Sequence, residues 1–362
     1  MTVGSGKTSD TAAAPSRRRR SASSESPAPG PEASFEAPHK RQQENWRTHL
    51  AGNLALRGWR TLSWVCGHVP VGVSTRVGSA VMMIGYAFSP TRRRWLKSNY
   101  SHVLGLPAND RRVARVTRQA FRNYARYVVE LARLPWQTEE QRTAMTKVEH
   151  VDHIADYYRA GHGVVLVAFH LGNSESAAGG FVKLGVPLDV VGDDTALGPL
   201  YEHLVKERAE VGLSMISWRN LRGVFGAMRR GGALVLLVDW GYRPDGIPVK
   251  MFGSWTMLPA GGAVLAARFN APIVPFMTKR LPDGRIFAGA DPAIWVKSNS
   301  PADLQRATQA YADVLCDHLA ECPEQWYIFK PIWPSTAEEE ARLAALAAEM
   351  LADEGAPKQA PQ

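Results

Sequence analysis

Residues 163–179 constrain this chain more than any other stretch. An apolar run at 164–169 ends on His170, and Gly172, Asn173, Ser174 and Glu175 follow. The run has the length and β-branched content of a buried strand. Asn173 and Ser174 are helix N-cap types, with Glu175 in the first turn behind them. His170 is therefore expected at the carboxyl end of a strand, where open α/β sheets place their ligands. Residues five apart on one helix lie roughly 140° apart around its axis. His170 and Glu175 can meet only if the chain bends between them, and Gly172 allows that bend.

This pair suits general-base chemistry. An imidazole with an ordinary pKa near ~6.5 takes a proton from an alcohol near neutral pH. A carboxylate on its far nitrogen holds the tautomer and stabilises the imidazolium. No nucleophilic side chain is needed if a substrate hydroxyl attacks an activated acyl group. A plainer reading also fits the spacing: a buried histidine bonded to a loop, with Glu175 as a charged first-turn residue.

The rest of the chain is organised around this stretch. From about 148 onward strands alternate with helices: strands at 164–169, 188–191, 215–216, 233–238, 273–277 and 286–290, and helices at 150–159, 174–184, 197–211, 221–230, 261–269 and 301–322. Such alternation predicts an α/β fold, with a mixed, mostly parallel central sheet flanked by helices. We divide the chain into a disordered Ser/Pro/Arg-rich tail at 1–43, a helical region at 44–147, an α/β core at 148–334, and a C-terminal helix and tail at 335–362.

The helical region carries Trp46, Leu50, Leu54, Trp59, Leu62 and Trp64, then an apolar run at 77–88 too short for a bilayer that needs ~20 residues. It reads either as a helical hairpin lying at a membrane interface or as a helical subdomain packed on the core. A basic helix follows at Arg92, Arg93 and Arg94. Beyond a turn at 107–110, the stripe Val113, Val116, Phe121, Tyr124, Val128 and Leu131 predicts a further helix ending before Pro135. The net charge of +9 and eleven tryptophans favour an anionic membrane surface or acidic substrates and carriers. No nucleic-acid motif accompanies the charge, so no nucleic-acid partner is expected. Cys66, Cys316 and Cys322 show no metal spacing and read as reduced cytosolic thiols.

Six blocks, the His170 stretch included, occur in order: Asn99 and Tyr100 with the run 121–127; His170 to Glu175; Arg208 with Gly212; an apolar run closing on Asp239; Phe252 and Gly253 with Pro259 and Gly261; and Gln325, Trp326, Tyr327 and Phe329. In this set the span from about 46 to 333 resembles the bacterial lipid A lauroyl/myristoyl acyltransferases and their actinobacterial relatives, the phosphatidylinositol mannoside acyltransferases. The resemblance implies a glycerolipid acyltransferase-like fold with a membrane-associated N-terminal helical region, peripheral or monotopic at the cytoplasmic face of the inner membrane. It implies transfer of a fatty acyl group from acyl-CoA or acyl-carrier protein to a hydroxyl of a lipid acceptor, with no cofactor. His170 would be the base and Glu175 its partner. Arg208 would hold phosphate or the developing oxyanion. Asn173, Phe252 and Gly253 would line the substrate site, and irregular backbone around 252–261 would offer N–H donors. Asp239 would orient Arg208 or a substrate hydroxyl, or serve as a turn carboxylate. Trp326 and Tyr327 read as core or rim. Ser174 stands where the family usually has an aromatic. The F-P-E-G-T-R-S block of glycerophosphate acyltransferases is absent, which argues against a lysophosphatidate acceptor. The Ala- and Arg-rich composition leans toward an actinobacterial glycolipid.

Two rivals are open to test. Residues 172–176 nearly form G-x-S-x-G, which would make Ser174 a hydrolase nucleophile with His203 or His318 as base. A non-enzymatic module binding membrane or nucleic acid through its positive charge would not need His170.

Overall fold

The computed structural model describes residues 46–354 apart from 184 and 195–197. The tail expected at 1–43 and the polar end beyond 354 lie outside the described residues.

Seven strands form one sheet: β1 (Thr146–Glu149), β2 (Val164–Ala168), β3 (Leu188–Gly192), β4 (Leu213–Ser217), β5 (Ala233–Leu237), β8 (Ile273–Arg280) and β9 (Ile286–Ala290). Their spatial order is β1-β9-β8-β2-β5-β3-β4. Every pairing is parallel except β8 with β9. The expected mixed, mostly parallel sheet is present, and β1 is an added edge strand that a four-residue polar run does not announce.

β2 lies at the centre and all five of its residues are buried. Its side chains alternate between two cores. Val165 and Val167 join a cluster with Phe121, Tyr311 and Trp326. Val164, Leu166 and Ala168 join another with Ile154 and Phe181. Helices cover both faces, as a parallel sheet requires: α6 (Asp152–Arg159), α7 (Ser174–Lys183), α8 (Gly198–Glu210), α9 (Leu221–Arg229), α10 (Gly261–Phe269) and α11 (Pro301–Glu321).

The N-terminal region is four helices: α1 (Trp46–His68), α2 (Val71–Phe88), α3 (Pro90–Leu104) and α4 (Arg111–Arg133), followed by the short α5 (Glu139–Ala144). Asp110 caps α4 by accepting from the Arg112 N–H at 2.6 Å. One stripe of α4 is buried, from Val113 through Phe121 to Ala132. Both α1 and α2 lie against α4. The outward side of α2 remains apolar and open: Val77, Val81, Ile84 and Phe88 are 58–83 % exposed. The helix has 18 residues and passes as a membrane span by length and composition. At ~1.5 Å per residue that is ~27 Å, just under a ~30 Å hydrocarbon core.

Residues 247–258 differ from expectation. They form a regular antiparallel hairpin, β6 (Ile247–Met251) with β7 (Ser254–Leu258), rather than irregular backbone. Phe252 and Gly253 are its two-residue turn, with φ of 50° and 84°. Positive φ at both positions is the turn that matches strand twist, and glycine at the second position is its usual occupant. The hairpin packs on α11 and on α12 (Ala337–Ala352).

Candidate active site

The site arises from strand register. β2 and β5 are parallel neighbours, and Ala168 stands opposite Leu237. The pairing runs on, with the Val238 N–H donating to Ala168 O at 3.0 Å. Two residues past each strand end come His170 and Asp239, side by side at the carboxyl edge of the sheet.

Asp239 is 1 % exposed and accepts three hydrogen bonds. Its Oδ1 faces His170 Nδ1 at 2.6 Å. Its Oδ2 accepts from the His170 backbone N–H at 2.9 Å and from Trp326 Nε1–H at 2.7 Å. Three donors around one buried carboxylate satisfy its hydrogen-bonding capacity and fix its orientation. A carboxylate at Nδ1 assigns that nitrogen the proton of the neutral ring. Nε2 is then the lone-pair nitrogen, and no described residue hydrogen-bonds it. The imidazole side chain is 28 % exposed, so Nε2 is reachable from outside.

Two local features hold this geometry. Gly172 has φ +65°, and a Cβ there would lie 2.4 Å from Thr278 O. Only glycine fits the turn and the close approach to β8 together. The segment 325–327 runs antiparallel to 170–172: the Gly172 N–H donates to Gln325 O at 3.0 Å and the Tyr327 N–H to His170 O at 3.2 Å. This brings the Trp326 indole to Asp239. Tyr100 Oη donates to Trp326 O at 2.7 Å, and buried Asn99 donates to Lys330 O at 2.8 Å.

The expected pairing of His170 with Glu175 is corrected. After the Gly172 turn, the first turn of α7 carries Glu175 toward α4 and α8, while Nδ1 faces the neighbouring strand β5. Glu175 receives a bidentate grip from Arg208, Nε at 3.0 Å and Nη2 at 2.9 Å, and accepts from Tyr127 Oη at 3.0 Å. Arg208 is thus bound to a carboxylate instead of lying free for phosphate or an oxyanion. Burial, the largest single effect, lowers the Arg208 pKa, but the Glu175 charge, the hydrogen bonds to Glu175 and the nearby Tyr127 and Glu207 together outweigh it, and the guanidinium stays above its ordinary value. Burial, then the same Glu175 charge, pushes the Tyr127 hydroxyl well above its usual range. Next along α8, Glu207 accepts from Trp59 Nε1–H at 2.9 Å, which ties α1 to this cluster.

Asn173, expected at the substrate site, is turned into the protein. It is fully buried; Oδ1 accepts from the Ser176 N–H as the cap of α7, and Nδ2 donates to Glu130, both at 3.0 Å. Phe252 lies on the hairpin turn, its ring against Trp333, which lies against Trp326. Those two rings stand between it and Asp239, and Gly253 completes the same turn. His203 is paired with Glu207 and His318 with Asp291, so neither candidate base for Ser174 is bonded to it.

The exposed lip of the site is Trp240, whose ring centroid is 5.5 Å from that of His170, and Lys330, whose Nζ lies 3.8 Å from the Trp240 centroid. The sequence reading missed Trp326, Tyr127 and Lys330 as parts of this arrangement. Trp326 and Tyr127 lay inside quoted blocks; Lys330 carried no sequence signal.

A sequence profile of the family described as bacterial lipid A biosynthesis acyltransferase matches residues 50–335. A phosphatidylinositol mannoside acyltransferase of Mycolicibacterium smegmatis is 27 % identical over 255 residues, covering 68 % of this chain and 81 % of the relative. One of Mycobacterium tuberculosis is 26 % identical, covering 68 % and 79 %. A lipid A biosynthesis lauroyltransferase of Escherichia coli is 24 % identical, covering 61 % and 72 %.

Proposed function

The chain belongs to the bacterial lipid A biosynthesis acyltransferase family, and from that premise we propose that it esterifies a lipid hydroxyl with a fatty acyl group, His170 acting as general base and Asp239 holding it. The chain is an acyltransferase; the donor, the acceptor and the roles of residues are our reading. The donor is acyl-CoA or acyl-carrier protein. The acceptor is a glycolipid of the phosphatidylinositol mannoside type, the class named for two of the relatives above.

The observation that carries this reading is the His170–Asp239 contact, which leaves Nε2 unprotonated at the mouth of the site. Nε2 takes the proton of the acceptor hydroxyl as its oxygen attacks the thioester carbonyl. Asp239 stabilises the imidazolium so formed. The tetrahedral intermediate collapses by breaking the C–S bond. The thiolate leaves with the proton from Nε2, and an ester and a free thiol result. Such base catalysis contributes about 10²–10⁴-fold.

The test is thiol release from palmitoyl-CoA by wild type and His170→Ala, with and without a membrane lipid extract, followed by mass spectrometry of the lipids. Wild type is expected to consume thioester only with extract and to add one acyl mass to one lipid. The variant is expected to be at least about 100-fold slower. Equal consumption by both proteins sinks the role of His170. Repeating the assay with an acyl-carrier-protein donor separates the two donor classes.

We also place the open face of α2 at an anionic membrane, at the cytoplasmic surface where an acyl thioester is available. Val77, Val81, Ile84 and Phe88 supply the apolar side. Arg92, Arg93 and Arg94 follow immediately on α3 and, among the described residues, have no carboxylate partner. Each such cation contributes about 1 kcal/mol at an anionic surface. Replacing all three by Ser is therefore expected to weaken sedimentation with phosphatidylglycerol vesicles by roughly a hundredfold. Equal binding of wild type and variant would remove this placement.

A further inference from the structure

We propose that Lys330 is a phosphate-binding residue at the lip of the site, contacting a phosphate ester of the substrate being acylated or of the acyl donor. The inference rests on the acyl-transfer reading above and goes beyond it to a residue that no motif marked.

Placement is the first argument. The ammonium lies over the face of Trp240, 3.8 Å from its centroid, and the same ring stands beside the His170 imidazole at 5.5 Å. The cation is thus one ring's width from the group proposed to move the proton. It is too far out to act on the reacting carbonyl and close enough to hold a neighbouring group of the same substrate.

The fold also holds the backbone that carries this lysine from several sides. Asn99, 1 % exposed, donates to Lys330 O at 2.8 Å and accepts from the Ile332 N–H at 3.2 Å. The Tyr242 N–H donates to Pro331 O at 2.8 Å. Gly241, at φ +114°, leaves room for the lysine stem: a Cβ there would lie 3.3 Å from both Lys330 Cβ and Cδ. This also accounts for Asn99 and Tyr100, which the sequence singled out without a role. They fasten the segment carrying both Trp326 and Lys330.

The third argument is charge. Among the described residues Lys330 has no ion-pair partner, although its backbone is held and its ammonium rests on the Trp240 ring. Freezing a long side chain costs more rotamer freedom than an exposed cation–π contact returns. An anion completing the site offsets the difference. The reacting groups, a thioester and a hydroxyl, are neutral. The anionic groups closest to the reacting atoms of such substrates are phosphate esters, on the lipid headgroup or on the pantetheine arm of the donor. An ammonium on a flexible stem suits phosphate as a point charge.

The experiment measures steady-state kinetics of wild type, Lys330→Ala, Lys330→Arg and Lys330→Glu. The donors are palmitoyl-CoA and palmitoyl-N-acetylcysteamine, which has no phosphate. The acceptors are the phosphatidylinositol mannoside fraction and an alkyl mannoside, which has none. Lys330→Ala is expected to raise one KM about tenfold, the loss falling on KM rather than kcat. Lys330→Arg is expected to recover most of it, and Lys330→Glu to raise it further. If the effect disappears with the N-acetylcysteamine donor, the phosphate is the donor's. If it disappears only with the alkyl mannoside, it is the acceptor's. Unchanged KM values in all combinations, with wild type turning over, overturn the proposal and leave the acyl-transfer reading standing. No turnover by wild type with any pair sinks that reading instead. In that case calorimetric binding of CoA and of phosphatidylinositol vesicles decides the role of Lys330. Weaker binding of either by Lys330→Ala supports it, and equal binding of both overturns it.

Discussion

Changing Asp239 to Asn is expected to lower kcat for acyl transfer by about 10³–10⁴-fold while the protein stays folded. The reason lies in which oxygen accepts which donor. Oδ2 takes two N–H donors, from the His170 backbone and the Trp326 indole, and Oδ1 faces His170 Nδ1. An asparagine keeps those two donors satisfied only by placing its carbonyl oxygen where Oδ2 stood. Its NH₂ then points at Nδ1, which must become the acceptor. The imidazole proton moves to Nε2, and the ring can no longer take a proton from a hydroxyl. The isosteric amide retains two of the hydrogen bonds and remakes the third with its direction reversed, so stability is expected to fall by no more than about 2 kcal/mol. Kinetics with thermal denaturation of the same preparations checks both parts. A variant within tenfold of wild-type kcat would show that Asp239 does not hold the base. A Glu175→Gln enzyme as inactive as Asp239→Asn, at unchanged Tm, would return the partner role to Glu175.

For Glu175 the largest expected effect is on stability. Arg208 and Glu175 are 16 % and 17 % exposed, and the guanidinium makes two hydrogen bonds to the carboxylate. Glu175→Ala leaves a mostly buried cation without its hydrogen-bonded carboxylate, at a cost of about 3 kcal/mol. For a domain of this size that corresponds to a Tm about 6 °C lower. Removing the cation as well relieves the penalty. The double variant Glu175→Ala/Arg208→Met is expected to melt above Glu175→Ala, with a coupling energy of about 1.5 kcal/mol or more. Strictly additive effects, or a Glu175→Ala Tm equal to wild type, would show that the pair carries little stability. The pair matters to the site by position: Glu175 is in the first turn of α7, directly after the segment carrying His170, and Tyr127 and Arg208 tie that turn to α4 and α8.

Much of the framework was legible in the chain itself. Where apolar runs were continuous and bounded by turn residues, strand and helix identities followed from length and period. The stretches 261–269 and 286–290 coincide with α10 and β9. The hairpin of β6 and β7 was not legible. Pro248 interrupts its alternation, and its turn is Phe-Gly in place of the usual Asn-Gly or Asp-Gly. β1 was missed because four mostly polar residues at a sheet edge carry almost no hydrophobic pattern. Asn173 was legible as an N-cap from its residue type, but its burial against Glu130 was not, because that depends on α4, some forty residues away.

The sequence by itself determined that one strand leads to His170, that another leads to Asp239, and that a glycine and a cap turn the chain between His170 and Glu175. These are local facts, written in residue type and spacing. It also determined the class of fold, because alternating apolar strands and helices have few ways to bury both faces of a sheet. Which carboxylate stands behind the imidazole was decided only by the tertiary structure. β2 and β5 are neighbours in the sheet although some seventy residues lie between His170 and Asp239, and their register aligns the two strand ends. Glu175, five residues from His170, turns instead to Arg208 and Tyr127. Closeness along a chain crosses a bend whose direction the sequence does not specify. Closeness across a sheet is imposed by backbone hydrogen bonding, and that ladder exists only once the strands have found their order.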